Sequence, residues 1–225
     1  MKKFICALLL LGKIGLSYSQ DWANLKRFKK ENAELITPQF GEHRVVFMGN
    51  SITESWSKIR PSFFVNKPFL NRGISGQTTP QMLLRFRQDV IELNPSAVVL
   101  LAGVNDIAGN TGPITIDEIA KNIVSMIELA RMNDIKVVLC SVLPASDFPW
   151  NKGLKPAEKI IKLNSRLKYY AERNNIVYVD YFTPMVNEVN GLKKELGDDG
   201  VHPNTMGYKI MEPLLEIGIS KALAQ

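Results

Sequence analysis

Ser51, Gly76, Asn105, Asp199 and His202 are the residues of this 225-residue chain whose types and order suit one kind of reaction, the transfer of an acyl group. A serine hydroxyl is a weak nucleophile until a neighbouring base takes its proton, and a histidine, with an ordinary pKa near 6.5, suits that task at neutral pH. Asp199 stands three residues before His202, close enough to accept the other ring proton and fix the tautomer within one turn. The oxyanion that develops on the substrate needs donors fixed where its charge appears. The backbone N–H groups of Ser51 and Gly76 and the side-chain amide of Asn105 are the candidates, and the bare Cα of Gly76 lets a substrate approach the backbone.

Each residue taken alone has a plainer reading. Ser51 is also a good helix cap, Gly76 a turn glycine, Asn105-Asp106 a cap or turn pair, and Asp199-Gly200 an ordinary turn. Only together do they supply nucleophile, base, orienting carboxylate and donors. Scarcity narrows the choice of base, because His43 is the only other histidine and precedes the first strand. A zinc site of two histidines and a carboxylate lacks helix-type ligand spacing, and no metal or cofactor is expected. Asp180, at the end of the last strand, is a rival orienting carboxylate or a strand-end turn residue. Trp56, Phe148 and Trp150 are the candidate substrate-binding residues, with core or loop packing as the competing account of each. Glu54 is a candidate cap for the helix after Ser51.

These residues need a scaffold, and the hydrophobic pattern describes one. Five β-rich runs, Arg44 to Met48, Pro68 to Asn71, Ala97 to Ala102, Lys136 to Leu143 and Ile176 to Asp180, alternate with longer helical patterns. The two central runs, VVLLA and VVLCSVL, are apolar on consecutive residues, so both of their faces must be covered. Thr115-Ile116-Asp117-Glu118 is a capping box that opens a helix with Ile119, Ile123, Ile127 and Ala130 on one face. Further helical patterns run from about Pro80 to Leu93, Pro156 to Arg173 and Thr205 to Leu223. The expected fold is α/β, a three-layer α/β/α sandwich on a five-stranded parallel sheet. Ligands bind such sheets beyond the carboxyl ends of the strands, where the strand order reverses. The loops that follow the strands carry Gly49-Asn50-Ser51, the 72–78 stretch RGISGQT, and Gly103-Val104-Asn105-Asp106, and Asp199-Gly200-Val201-His202 comes after the last strand.

In that order the four blocks resemble the SGNH/GDSL-type hydrolase superfamily, and the resemblance covers essentially the whole chain after its leader. Gly103-Val104-Asn105-Asp106 and Asp199-Gly200-Val201-His202 are its most specific parts. Ile52-Thr53 and the RGISGQTT stretch look most like the branch of platelet-activating-factor acetylhydrolase subunits and bacterial carbohydrate or lysophospholipid esterases. The resemblance implies a flavodoxin-like sheet and metal-independent ester hydrolysis. Asn50 departs from the pattern, standing where the GDS motif has aspartate. Thr53 stands where an α/β-hydrolase nucleophile elbow has its second glycine, which disfavours that rival fold.

Composition sets the outer bounds. With 45% hydrophobic and 22% charged residues the chain is an ordinary globular one, neither disordered nor fibrous. MKKFICALLLLGKIGLSYSQ has two lysines, a short apolar run and Ser17 and Ser19 at cleavage-site spacing, so residues 1–19 read as a secretory leader and 20–225 as one domain. The apolar run is too short to span a bilayer, so no stable membrane insertion is expected. Of the formal charge of +6, Lys2, Lys3 and Lys13 belong to the leader, leaving about +3, a weak field that implies no nucleic acid partner. Cys6 lies in the leader, so Cys140 is left unpaired and there is no disulfide framework. The expectation is a periplasmic or secreted esterase acting on a small ester or acylated glycan, with acetyl the expected acyl group. A lysophospholipase or general short-chain esterase is the alternative, and a noncatalytic glycan-binding module is the alternative of another class.

Overall fold

The computed structural model describes residues 21–225, and the leader expected at 1–19 lies outside them. Five parallel strands, β1 (Val45–Gly49), β2 (Phe69–Gly73), β3 (Ala97–Leu101), β4 (Lys136–Cys140) and β5 (Val177–Val179), form one sheet in the order β2-β1-β3-β4-β5. The helices are α1 (Lys29–Glu34), α2 (Ser51–Ile59), α3 (Pro61–Phe64), α4 (Thr79–Asp89), α5 (Val104–Ile107), α6 (Ile116–Arg131), α7 (Ala157–Arg173), α8 (Phe182–Met185) and α9 (Thr205–Leu223). None of the described helices is long and apolar enough to cross a membrane.

The apolar runs of β1 and β3 are buried along their whole length because successive side chains feed two cores. Val46, Met48, Val98 and Leu100 pack with Met82 and Phe86 of α4 and Ile123 and Ile127 of α6. Val45, Phe47, Val99 and Leu101 pack on the other face with Ile52 and Trp56 of α2 and Tyr208, Met211 and Leu215 of α9. The α6 capping box forms as expected, with the Thr115 N–H donating to Glu118 and the Glu118 N–H donating back to the Thr115 hydroxyl at 3.2 Å.

Two boundaries differ from the sequence expectation. Beyond Cys140 the chain leaves the sheet, since its neighbour β5 is only three residues long. The amide of Asn164 on α7 stands in for a strand there, accepting from the Val142 N–H and donating to its carbonyl at 2.8 and 2.9 Å. The helix expected from Pro80 to Leu93 breaks at Val90 and continues as a 3-10 turn, Ile91–Leu93, ended by the left-handed Asn94 ahead of Pro95.

Register delivers the site. Gly49 at the end of β1 lies opposite Gly73 of β2 on one side and Leu101 of β3 on the other. The three loops that follow therefore leave the sheet at one level, beside the strand around which the order reverses.

Candidate active site

Ser51 is the first residue of α2, and Asn50 caps the helix by accepting from the Ile52 N–H at 3.4 Å. The other end of the Asn50 amide, Nδ2, is buried without a partner among the described residues. Helix α2 sits directly on the strand ends. A Cβ at Gly73 would collide with the Glu54 N–H and the Asn50 carbonyl, so only glycine permits this approach.

His202 lies in the loop between a 3-10 turn, Lys194–Leu196, and α9. Its Nε2 is 2.9 Å from Ser51 Oγ, and its Nδ1 is 2.6 Å from Asp199 Oδ2. A carboxylate only accepts, so Nδ1 carries the proton of that bond and the Nε2 lone pair is left for the serine. Asp199 Oδ1 also accepts the N–H groups of Val201 and His202 at 2.9 and 2.7 Å. Burial pushes the Asp199 carboxyl up, but these backbone bonds and the imidazole outweigh it and hold the group below the ordinary carboxylate range. The loop is brought to Ser51 by a seam between α2 and α9. Tyr208 donates its hydroxyl to the Ile52 carbonyl at 2.7 Å, and Glu212 accepts from Trp56 Nε1 and takes both ends of the Arg60 guanidinium at 2.9 Å.

The predicted oxyanion donors meet at the same edge. The N–H of Ser51, in the first helical turn, has no intrahelical acceptor. Gly76 has φ +77°, the left-handed region open to glycine, and its N–H has no acceptor among the described residues. Asn105, 3% exposed on α5, donates one Nδ2 proton to the Gln77 carbonyl at 3.0 Å, which leaves its second proton for an oxyanion. Each donor is held by a neighbouring block. Glu54 accepts from the Ser75 N–H at 2.8 Å and so ties the Gly76 loop to α2, its role here in place of the expected cap. Asp106 accepts the Thr79 N–H at 2.9 and 3.0 Å and so ties α5 to the start of α4.

Of the three aromatics that were candidates for the substrate wall, the structure brings one beside His202. Trp56 is a correction: it is 1% exposed, stacked on Phe63 at 5.4 Å and packed on Tyr208, because it points into the core that joins α2 to α9. Phe148 is also buried, and serves as the base on which Trp150 stacks at 5.1 Å. Trp150 alone reaches the site. It is 45% exposed, its ring lies 5.9 Å from that of His202, and its Nε1 donates to Asn110 Oδ1 at 3.2 Å. Asp180 accepts from Thr183 as a turn residue, and His43 lies at the other end of the sheet, beside the starts of β1 and β2. The two histidines therefore cannot share a metal.

Sequence reasoning missed the buried cation behind the loops. Arg85 of α4 is fully buried, donates to Asp89 and to the Gly49 carbonyl at 3.1 Å each, and reaches Gln77 Oε1 at 2.5 Å. It thus grips Gln77, next to Gly76, and Gly49, two residues before Ser51. The available signal was its place between the core residues Met82 and Phe86, on the inward face of the helix.

Known proteins resemble this chain in sequence and in fold. The profile of the GDSL-like Lipase/Acylhydrolase family matches residues 47–210. A GDSL-like lipase of Bacteroides thetaiotaomicron is 52% identical, with a TM-score of 0.87 over 89% of this chain and 98% of that one. Esterase TesA of Pseudomonas aeruginosa is 24% identical over 181 residues, 75% of this chain and 84% of its own. The lipoprotein YqeF of Bacillus subtilis is 35% identical over 82 residues, which span 35% of this chain and only 34% of YqeF. An acetyl-xylooligosaccharide esterase of Geobacillus shares the fold, at 21% identity and a TM-score of 0.63 over 82% of this chain and 95% of that one.

Proposed function

Because the chain belongs to the GDSL-like lipase/acylhydrolase family and is a carboxylic ester hydrolase, we propose that Ser51 is its nucleophile and that it removes a small acyl group, acetyl, from an acylated glycan outside the cytoplasm. The observation that carries this reading is the continuous chain from Ser51 Oγ through the His202 ring to Asp199, with both links at hydrogen-bond distance.

In this reading Ser51 Oγ adds to the ester carbonyl as His202 Nε2 takes its proton. Asp199 holds the imidazolium that forms. The carbonyl oxygen becomes an oxyanion bound by the N–H groups of Ser51 and Gly76 and by Asn105 Nδ2. Collapse breaks the bond to the alcohol, which leaves with the Nε2 proton, and Ser51 stays acylated. His202 then deprotonates a water, the water attacks the acyl carbon, and a second collapse frees the carboxylate and restores the serine. The chain's own residues supply every group these steps use.

The small acyl group and the glycan rest on the surroundings of Gly76, where polar side chains such as Ser75, Gln81, Asn110 and Thr111 line the open groove. A long acyl chain leaves these polar groups unmatched, whereas a hydroxylated alcohol pairs with them. The fold shared with an acetyl-xylooligosaccharide esterase supports the same choice. Export rests on the 1–19 leader pattern and on the partial likeness to a lipoprotein. The test is release of p-nitrophenol from its acetate and octanoate esters, with Ser51→Ala beside the wild type. Ser51-dependent turnover favouring acetate is expected. A preference for octanoate moves the reading to lysophospholipids. A folded protein that matches Ser51→Ala on both esters, yet still binds glycan, points instead to a noncatalytic binding module.

A further inference from the structure

A segment outside the residues matched by the family profile walls the groove. Residues 21–35 run along α4 ahead of the sheet and are bound to it through their own backbone and through the Asn32 amide, which donates to the Gln88 carbonyl and Asp89 at 3.1 and 2.8 Å. The carbonyls of Trp22, Ala23 and Leu25 accept from the side-chain amides of Gln81, Gln77 and Gln88 at 2.6, 2.7 and 2.7 Å. Gln81 and Gln88 are seven residues apart, two turns along one face of α4, and Gln77 extends that line into the loop before it. Asp21 closes the first turn of the segment by accepting the N–H groups of Leu25 and Lys26. Ala23 and Phe28 are buried, and Phe28 lies between the guanidinium groups of Arg27 and Arg72, 4.7 and 4.8 Å from its centroid.

None of these anchors uses the indole of Trp22. Trp22 is 50% exposed and borders a groove of about 470 Å³ that Gly76, Asn110 and Thr111 also line. Gly76 belongs both to this groove and to the proposed oxyanion donors. Asn110 joins the groove to the remaining exposed aromatic of the site, since it donates to the Gly76 carbonyl at 3.1 Å and accepts from Trp150. A half-exposed tryptophan sharing a groove with hydroxyl and amide groups makes an amphipathic surface. A pyranose ring matches it, with a C–H face for the indole and hydroxyls for Thr111 and Asn110. An acyl chain would satisfy only the indole, and a phosphate would meet the carboxylate of Asp21 with no cation among the groove's lining residues.

We infer that Trp22 is the platform of a glycosyl subsite, on which a sugar of the alcohol part of the ester stacks while its acyl group lies at Ser51. This deepens the reading under Proposed function and rests on it. It makes the segment before the sheet a determinant of substrate choice, set apart from the residues that carry the reaction.

The test compares wild type, Trp22→Ala and Trp22→Phe on p-nitrophenyl acetate, p-nitrophenyl octanoate, and O-acetylated xylotetraose and cellotetraose, each against Ser51→Ala. Trp22→Ala is expected to raise KM at least tenfold on one or both acetylated tetrasaccharides. Its kcat there, and its kcat/KM on p-nitrophenyl acetate, are expected to stay within about twofold of wild type. Trp22→Phe should recover most of the KM, because a smaller aromatic face still stacks. An unchanged KM on both tetrasaccharides, with wild-type turnover of p-nitrophenyl acetate, overturns the subsite and leaves the esterase standing. A loss confined to the octanoate ester overturns it in favour of an acyl-chain groove, and equal losses on every ester show that Trp22 acts through the fold. If the wild type hydrolyses p-nitrophenyl acetate through Ser51 but neither tetrasaccharide, the glycan reading itself falls and the subsite with it.

Discussion

Two pairings of a carboxylate with a nitrogen base flank Ser51, and they are built on opposite terms. Asp199 and His202 stand at the rim with side chains 41% and 35% exposed, in a loop that no strand holds. Arg85 and Asp89 lie one helical turn apart on α4 and are wholly enclosed. Burial pulls the Arg85 guanidinium down to about 10 while Asp89 opposes the fall, so it remains a cation at neutral pH. In the proposed mechanism a proton enters and leaves the first pair in every cycle, and the exposure of both side chains lets water reach it. The second pair exchanges nothing, and its charge serves to fix the Gly49 carbonyl and the Gln77 side chain. The difference separates reacting groups from positioning groups, and each can be broken without the other.

The largest effect is expected at the rim. Asp199→Asn should lower kcat by roughly 10⁴-fold with little change in the urea midpoint, because an amide can favour the wrong imidazole tautomer. A drop below tenfold would assign orientation of the ring to some other group. The lowered carboxyl of Asp199 adds a pH test. Its stabilising effect is present above the ordinary value of 3.8 and is lost only as pH falls through the lower folded value, so Asp199 stays ionised through the neutral range. The acid limb of log kcat/KM should therefore rise with unit slope, and a slope of two would contradict this.

The enclosed pair comes next. Arg85→Met should cost about 3–5 kcal/mol of stability in urea unfolding, since it strands Asp89 in the interior. Adding Asp89→Leu should recover much of that stability while kcat stays low, because the Gly49 carbonyl and Gln77 remain unheld. Full recovery of kcat in the double variant would remove the positioning role. Asn105→Ala should reduce kcat by roughly 10²–10³-fold, the cost of one oxyanion donor, with KM nearly unchanged. An effect on KM alone would make Asn105 a binding residue. The smallest effect is expected at Cys140, whose thiol burial pushes up to about 12 despite its bond to Tyr181. Iodoacetamide at pH 8 should leave the folded protein unlabelled and fully active, and rapid labelling would reveal an opening between β4 and β5.

The strands were legible because VVLLA and VVLCSVL can only be central, and α6 because its capping box and apolar stripe agree. Asp199 and His202 were legible together because a three-residue spacing fixes their geometry within one turn. Ser51, Gly76 and Asn105 followed from loop position once a parallel sheet was inferred. Trp56 was misread because five residues past Ser51 along the chain is more than one turn around α2, which aims the indole at α9 instead of the substrate. Arg85 stayed hidden because enclosing a cation requires a partner at Gly49, 36 residues away in sequence. The stretch before the sheet was hidden for a related reason: it is held by backbone carbonyls, which leave no mark on the sequence, and by glutamines that read as a solvated face.

Among the described residues the Ser51 hydroxyl bonds only to His202, and Asp199 spends one oxygen on its own loop. The Ser51 hydroxyl is thus attached to the fold without supporting it, and Asp199 supports only its own turn. On the proposed mechanism, one codon change at Ser51 or His202 silences the chemistry while the groove and Trp22 remain. A lineage carrying this architecture can therefore pass from catalyst to receptor in a single mutational step, and back again by the same step.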